Sequence, residues 1–197
     1  YPDYGDPFVL EAAEQPIPRP TANEILIRVV AAGFNPLDAR LRSGELRGML
    51  PGGFPRIPGY DVAGTVEQAG ENVRFVAGDR VMAYLDHIYG GGYAEFAACS
   101  HTSVASIPAS MSFEEAAALP LAGSTALQSL RDYGGLQSGQ QVLVLGASGG
   151  VGAFAVQIAK AGGAVVTGVA SAPHENFVRS IGADQFIDYQ HEDYALA

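Results

Sequence analysis

Three glycines, Gly146, Gly149 and Gly152, stand between an apolar run, Val142-Leu143-Val144-Leu145, and a longer apolar-rich stretch that reaches Lys160. The run suits a strand covered on both faces. The glycines suit a turn whose backbone can approach a phosphate. The stretch beyond suits a helix that points its free N–H groups and positive dipole end at that turn. No other feature constrains the fold as much: strand, glycine turn and helix in this order belong to an open parallel α/β sheet. They imply a dinucleotide site, with Gly146, Ser148, Gly149, Gly150, Val151 and Gly152 around the pyrophosphate. A glycine turn also joins strand to helix for steric reasons alone, so the continuation matters. Residues 163–171 read as a second strand, residues 174–181 as a helix closed by Gly182, and residues 185–188 as a third strand. That βαβαβ succession is about one mononucleotide-binding half of a doubly wound sheet.

The 197 residues are enough for one large domain or two small ones. No apolar run approaches the ~20 residues of a membrane helix, and no signal-peptide pattern opens the chain. Tyr1 is not a natural start, so a preceding piece is expected. The single cysteine, Cys99, excludes an internal disulfide and fits a reducing compartment, the cytoplasm. A formal charge of −10 argues against a nucleic-acid partner. It does not argue against an anionic cofactor, because phosphate capture is local.

The N-terminal half reads differently. After the stiff Pro16-Ile17-Pro18-Arg19-Pro20 loop, residues 24–32, 62–68, 80–85 and 93–99 are β-rich, with Gly70 and Gly78-Asp79 as turn signals. Residues up to about Pro108 are therefore expected to form an all-β unit. Ser112 and Glu115 make a capping box before an apolar run, and a further helix is expected at about residues 124–133. The change of pattern lies near residues 110–122, which predicts domains at 1–115 and 116–197.

Several segments together carry a family resemblance. They are Ala31-Ala32-Gly33-Phe34-Asn35-Pro36-Leu37-Asp38, Ile57-Pro58-Gly59-Tyr60-Asp61-Val62-Ala63-Gly64, Phe75-Val76-Ala77-Gly78-Asp79-Arg80-Val81, Gly91-Gly92-Tyr93-Ala94-Glu95-Phe96, the glycine turn, and Gly182-Ala183-Asp184-Gln185-Phe186-Ile187-Asp188-Tyr189. In their order and spacing the chain resembles the medium-chain dehydrogenase/reductase superfamily, in its zinc-free quinone oxidoreductase branch. The resemblance implies a GroES-like β-barrel catalytic domain followed by a partial Rossmann domain. Family members continue past the third Rossmann strand, so the resemblance also implies a fragment. A half sheet with an open edge is an aggregation hazard. Relatives are commonly homodimers, which is the expectation for a full-length parent.

Zinc-dependent relatives use cysteine and histidine ligands. Asn35 stands at or near the position of the first cysteine, Tyr60 stands at that of the histidine, and the four-cysteine lobe is absent. Cys99, His87, His101, His174 and His191 have no ligand spacing, and His87 and His101 read as solvated loop residues. No metal is expected. Without a Lewis acid, reduction of an electrophilic acceptor is more natural than alcohol oxidation. No Asp or Glu ends the second strand at Val169-Ala170-Ser171-Ala172-Pro173, which permits a 2′-phosphate and points to NADPH. Ser171 is its expected hydrogen-bond donor, with Tyr189 assisting. His174 stands where relatives often place a lysine, and Arg179 is the nearest permanent cation.

The resemblance puts Asn35, Tyr60 and Thr125 near the nicotinamide. Asn35 and Tyr60 would donate hydrogen bonds to an acceptor oxygen, and Thr125 would hold the carboxamide. Each has a plainer reading: Asn35 before Pro36 as a turn residue, Tyr60 as core packing. Asp38 and Asp61 are candidates to orient neighbours. The leading expectation is hydride transfer from NADPH to a quinone or α,β-unsaturated carbonyl, in the cleft between the domains. One alternative is an enoyl-thioester reductase, which needs a basic groove; Arg40, Arg42 and Arg47 are a modest cluster for it, which reads more readily as a solvated face. A non-catalytic NADPH-binding protein is the alternative from another class.

Overall fold

The computed structural model describes residues 1–48, 53–85 and 90–195; His87 lies outside them. The chain divides into two compact units, Tyr1–Leu121 and Ala122–Ala197.

The first unit is built on β1 (Glu24–Gly33), β2 (Asp61–Ala69), β3 (Arg80–Tyr84), β4 (Phe96–Ser100) and β5 (Val104–Ser106). They form one antiparallel sheet in the order β4-β1-β2-β3-β5. Ile25 and Ile27 of β1, Val62 of β2, Val81 of β3 and Leu85 just after β3 are completely buried and pack into one core. Each such side chain contributes about 1.5–3 kcal/mol by leaving water. The last expected β segment begins later than its sequence suggests, at Phe96.

The expectation of an all-β unit needs correction. Helix α1 (Pro36–Ser43) follows β1 directly, and α2 (Phe113–Ala117) packs on the sheet after β5. Asn35 is the N-cap of α1, Pro36 opens it, and Asp38 closes a capping box with Asn35. In α2 the predicted box is present: Ser112 Oγ accepts Glu115 N–H at 3.1 Å, and Glu115 Oε2 accepts Ser112 N–H at 2.8 Å.

Helix α3 (Pro120–Gln128) starts earlier than expected and runs on as a π-helical turn, Ser129–Tyr133. Then come β6 (Gln141–Leu145), α4 (Gly150–Ala161), β7 (Val165–Ala170), α5 (Glu175–Ser180) and β8 (Gln185–Asp188). The three strands are parallel in the order β6-β7-β8. Val144, Val156, Val166 and Val178 form the core between sheet and helices. Strand β6 is not covered on both faces: Leu143 is 46% and Leu145 56% exposed. The fold is a GroES-like β unit followed by a Rossmann-type α/β unit.

Candidate functional site

In the first unit, a buried polar cluster forms where β1, α1, β2 and the loop before β4 meet. Asn35 is 8%, Asp38 3%, Tyr60 5% and Asp61 1% exposed. Asn35 donates its backbone N–H to Asp38 Oδ2 at 2.7 Å and its side-chain Nδ2–H to Asp61 Oδ2 at 2.9 Å. Asp38 Oδ1 also accepts Gly59 N–H at 3.2 Å, and the Tyr93 hydroxyl donates to the same carboxylate. Asp61 Oδ1 accepts Leu121 N–H at 3.0 Å. The two carboxylates therefore bracket Asn35 and tie it to the backbone around it.

Burial dominates the electrostatics here. It raises Asp38, although the N–H groups of Asn35 and Gly59 oppose the rise. It pushes Asp61 up to about 6, against the bonds from Asn35 and Leu121, and the Asp38 charge adds to the rise. It pushes Tyr60 up to about 12, with Tyr1, Asp38 and Tyr84 adding to it. Tyr60 is thus a neutral phenol, a donor, over the physiological range. Its ring stacks on Tyr84 with centroids 6.3 Å apart. The structure brings Asn35 and Tyr60 into one cluster, and adds Tyr84 and Tyr93, to which sequence reading gave no role. Tyr93 lies in the quoted Gly91-Gly92-Tyr93 segment, but nothing in its spacing betrays a bond to Asp38.

These donors do not fit tetrahedral zinc. They are an amide, phenols and two carboxylates already hydrogen-bonded, where zinc takes thiolate and imidazole. Cys99 is 4% exposed in the core of the sheet, and burial pushes its thiol up to about 12. His101 is half-buried in a short turn after β4. Among the described residues no group of three or more His, Cys, Asp or Glu is placed to hold a metal ion.

The second unit carries the glycine turn. Gly146 sits at φ +69°, the left-handed region that favours glycine. A Cβ on Gly152 would lie 2.1 Å from Gly146 O, so the turn folds back on the third glycine. Gly149 caps α4 without a side chain; the first-turn N–H groups and the dipole end are therefore presented to whatever occupies the turn. Ser148 is half-buried beside it, and Gly150 and Val151 are exposed. This cradle fits a pyrophosphate. Thr125 is exposed on α3.

Ser171, His174 and Tyr189 gather at the carboxyl ends of β7 and β8. Ser171 caps the short turn Ala172–His174 through its backbone, its carbonyl accepting His174 N–H at 2.9 Å, and its hydroxyl takes no part in the cap. Tyr189 donates its N–H to Ala170 O at 3.4 Å and is 55% exposed. Arg179 is committed to Glu175 at 2.7 Å. One acidic group was missed: Asp188, at the end of β8, accepts from Ala172 N–H, Gln190 N–H and His191 Nδ1. The His191 bond, chiefly, holds its carboxyl below the usual range. So β7 ends without a carboxylate of its own, while β8 supplies one already engaged by three donors.

A β unit with a buried amide–carboxylate–phenol cluster, followed by a glycine-turn βαβαβ unit, defines a dinucleotide-type dehydrogenase/reductase fold. Residues 21–109 match the alcohol dehydrogenase GroES-like domain family, and residues 150–196 the zinc-binding dehydrogenase family. The chain is 44% identical over 187 residues to a chloroplast envelope quinone oxidoreductase homolog of Arabidopsis thaliana, covering 92% of this chain and 57% of that protein. It is 38% identical over 204 residues to 2-methylene-furan-3-one reductase of Solanum lycopersicum, covering 98% of this chain and 52% of that protein. Escherichia coli quinone oxidoreductase, solved in complex with NADPH, superposes with a TM-score of 0.84 at 36% identity, over 98% of this chain and 58% of that one. The chain thus spans little more than half the length of these relatives. It belongs to the medium-chain dehydrogenase/reductase superfamily, in its quinone oxidoreductase-like branch.

Proposed function

We propose that the protein is an NADPH-dependent, zinc-independent reductase of quinones or α,β-unsaturated carbonyls. The observation that carries this reading is the glycine turn, where Gly152 packs against Gly146 O at the open N-terminus of α4. The names of the relatives support the acceptor class, and the bound NADPH of the Escherichia coli enzyme supports the cofactor. Gly146, Ser148, Gly149, Gly150, Val151 and Gly152 hold the pyrophosphate, Ser171, His174 and Tyr189 the 2′-phosphate, and Thr125 the carboxamide. The bound cofactor supplies the hydride.

The chain's own residues orient the acceptor. Asn35 and Tyr60 donate to its carbonyl oxygen as negative charge develops there. Tyr60, pushed up to about 12 by burial, keeps its proton at neutral pH and is a donor throughout. No single acid/base residue is required, because the final proton can come from water.

The thioester alternative loses support from the arginines it needs. Arg40 pairs with Glu45 at 2.7 Å. Arg42 donates to Gly5 O at 2.6 Å, and Arg47 to Gly44 O at 3.3 Å while lying over the Tyr4 ring. None of the three is arranged as a receptor for a carrier phosphate.

Fluorescence titration of the protein at natural full length with NADPH and NADH, followed by turnover on a panel of quinones and enones, tests the proposal. Preference for NADPH with turnover supports it. Tight NADPH binding with no turnover on any acceptor favours a non-catalytic binding protein, and no binding of either nucleotide sinks both readings. A cytoplasmic location and a homodimer belong to the same proposal, read by imaging of the tagged protein and by light scattering. Among the described residues no helix is long and apolar enough to cross a membrane.

A further inference from the structure

We propose that Asp61 is a positioning residue: it holds the Asn35 amide with one N–H committed inward, so that the other is left for the acceptor oxygen. This rests on the reading of Asn35 as a donor to the acceptor. Asp61 itself is 1% exposed and acts through Asn35.

Both oxygens of Asp61 are in use, and by different segments. Oδ2 accepts Asn35 Nδ2–H at 2.9 Å, from the loop between β1 and α1; Oδ1 accepts Leu121 N–H at 3.0 Å, from the first turn of α3. A carboxylate only accepts, so the nitrogen end of the Asn35 amide, not its oxygen, must face it. The backbone beneath is fixed as well, because Asn35 N–H is bound to Asp38 Oδ2 at 2.7 Å within the capping box of α1. A primary amide carries two hydrogens. With one on Asp61, the direction of the second is set by a buried anchor rather than by solvent.

Protonation undoes the arrangement. A carboxylic acid offers one accepting oxygen and one hydroxyl. Leu121 N–H belongs to the backbone and keeps the accepting oxygen. The hydroxyl then meets Asn35 Nδ2–H, donor against donor, and the amide is released. Among the described residues the titratable groups around Asp61 are Asp38 on α1, Tyr84 opposite it on β3, and Tyr93 before β4. Asp38 favours the acid form, and burial has already brought Asp61 up to about 6. Asp61→Asn reproduces the acid form at every pH: its oxygen serves Leu121 and its NH₂ opposes Asn35.

The test is steady-state kinetics of the full-length protein with NADPH and 1,4-naphthoquinone between pH 5 and 8. In the wild type, KM for the quinone should rise about threefold to tenfold as pH falls through about 6, the worth of one net hydrogen bond, with NADPH affinity unchanged. Asp61→Asn should show the high KM throughout and a flat profile. A wild-type KM in Asp61→Asn, or a profile that keeps its slope, overturns the proposal. A wild type that turns over no quinone sinks the reductase reading instead. In that case, or if the variant does not fold, nitrogen and carbon NMR of the wild type decides. The Asn35 side-chain amide signals should shift with the same midpoint as the Asp61 carboxyl. Amide signals that stay still while Asp61 titrates overturn it.

Discussion

Gly152 sets how closely the nucleotide turn folds on itself. A Cβ there would lie 2.1 Å from Gly146 O, whereas one on Gly150 would meet nothing nearer than Ala122 Cβ at 4.0 Å. Gly152→Val should therefore cost about 1–3 kcal/mol in overpacking and abolish NADPH binding, while Gly150→Ala should stay folded. Chemical denaturation and NADPH fluorescence read the pair, and equal behaviour of the two variants would remove the steric argument. Tyr60 tests the other unit. Tyr60→Phe keeps the ring on Tyr84 but removes the donor, so turnover should fall about 10²-fold at unchanged NADPH affinity; an unchanged rate would make Tyr60 a packing residue. Asp61 adds a stability signature. Its folded value of about 6 lies above its ordinary 3.8, so the folded chain holds the proton more tightly than the unfolded one. Its contribution is full below about pH 4 and is lost as pH rises through about 6. Asp61→Asn has no such titration, so it should gain stability relative to wild type across that interval and level off above it. Urea unfolding at a series of pH values measures this, and a difference independent of pH would show that the carboxyl titrates normally.

At the scale of elements, the legible parts were those specified by short-range chemistry. Ser112 and Glu115 announced α2, and both halves of their box are formed. Ser112→Ala should cost about 1 kcal/mol, seen as a lowered Tm, with no change in NADPH affinity; an unaltered Tm would show that packing alone holds α2. The glycine turn and the three strands after the β unit were legible for the same reason: apolar runs punctuated by glycine. Helix α1 was not. Its buried side chains are only Asp38 and Leu41, so no apolar stripe marks it, and Asn35-Pro36 reads equally as a turn. The start of α3 was hidden by its small residues, Ala122, Gly123 and Ser124. The clusters that matter for function were the least legible. The bond from Asn35 to Asp61 spans 26 residues, and Asp188 reaches the end of β7 only through the parallel register that sets it opposite Ala170. The family resemblance named Asn35 and Tyr60, with Asp38 and Asp61 as candidates to orient neighbours; only the fold states which of them touch.

At the scale of the whole molecule, the two units differ in how well they bury what they carry. The first closes a core around Ile25, Ile27, Val62 and Val81, all at 0% exposure. In the second, one face of β6 presents Leu143 at 46% and Leu145 at 56%, and Val165 at the start of β7 is 43% exposed. Among the described residues β6 pairs with β7 alone, which leaves the other edge of a short, apolar, parallel strand with unpaired backbone groups. Such an edge templates association with further copies. The net charge of −10 opposes this at low ionic strength, but salt screens repulsion beyond about 10 Å at 0.1 M, leaving the apolar contact. The 197-residue chain should therefore associate with rising concentration, and more strongly as salt is added. Leu143→Lys together with Leu145→Lys should suppress the association, since both side chains leave the solvent-facing side of β6 while Val142 and Val144 still face the core of their unit. Light scattering across a concentration and salt series measures it. A wild-type chain that stays monodisperse in high salt, or a double variant that associates equally, would show that the exposed face of β6 is not what drives contact.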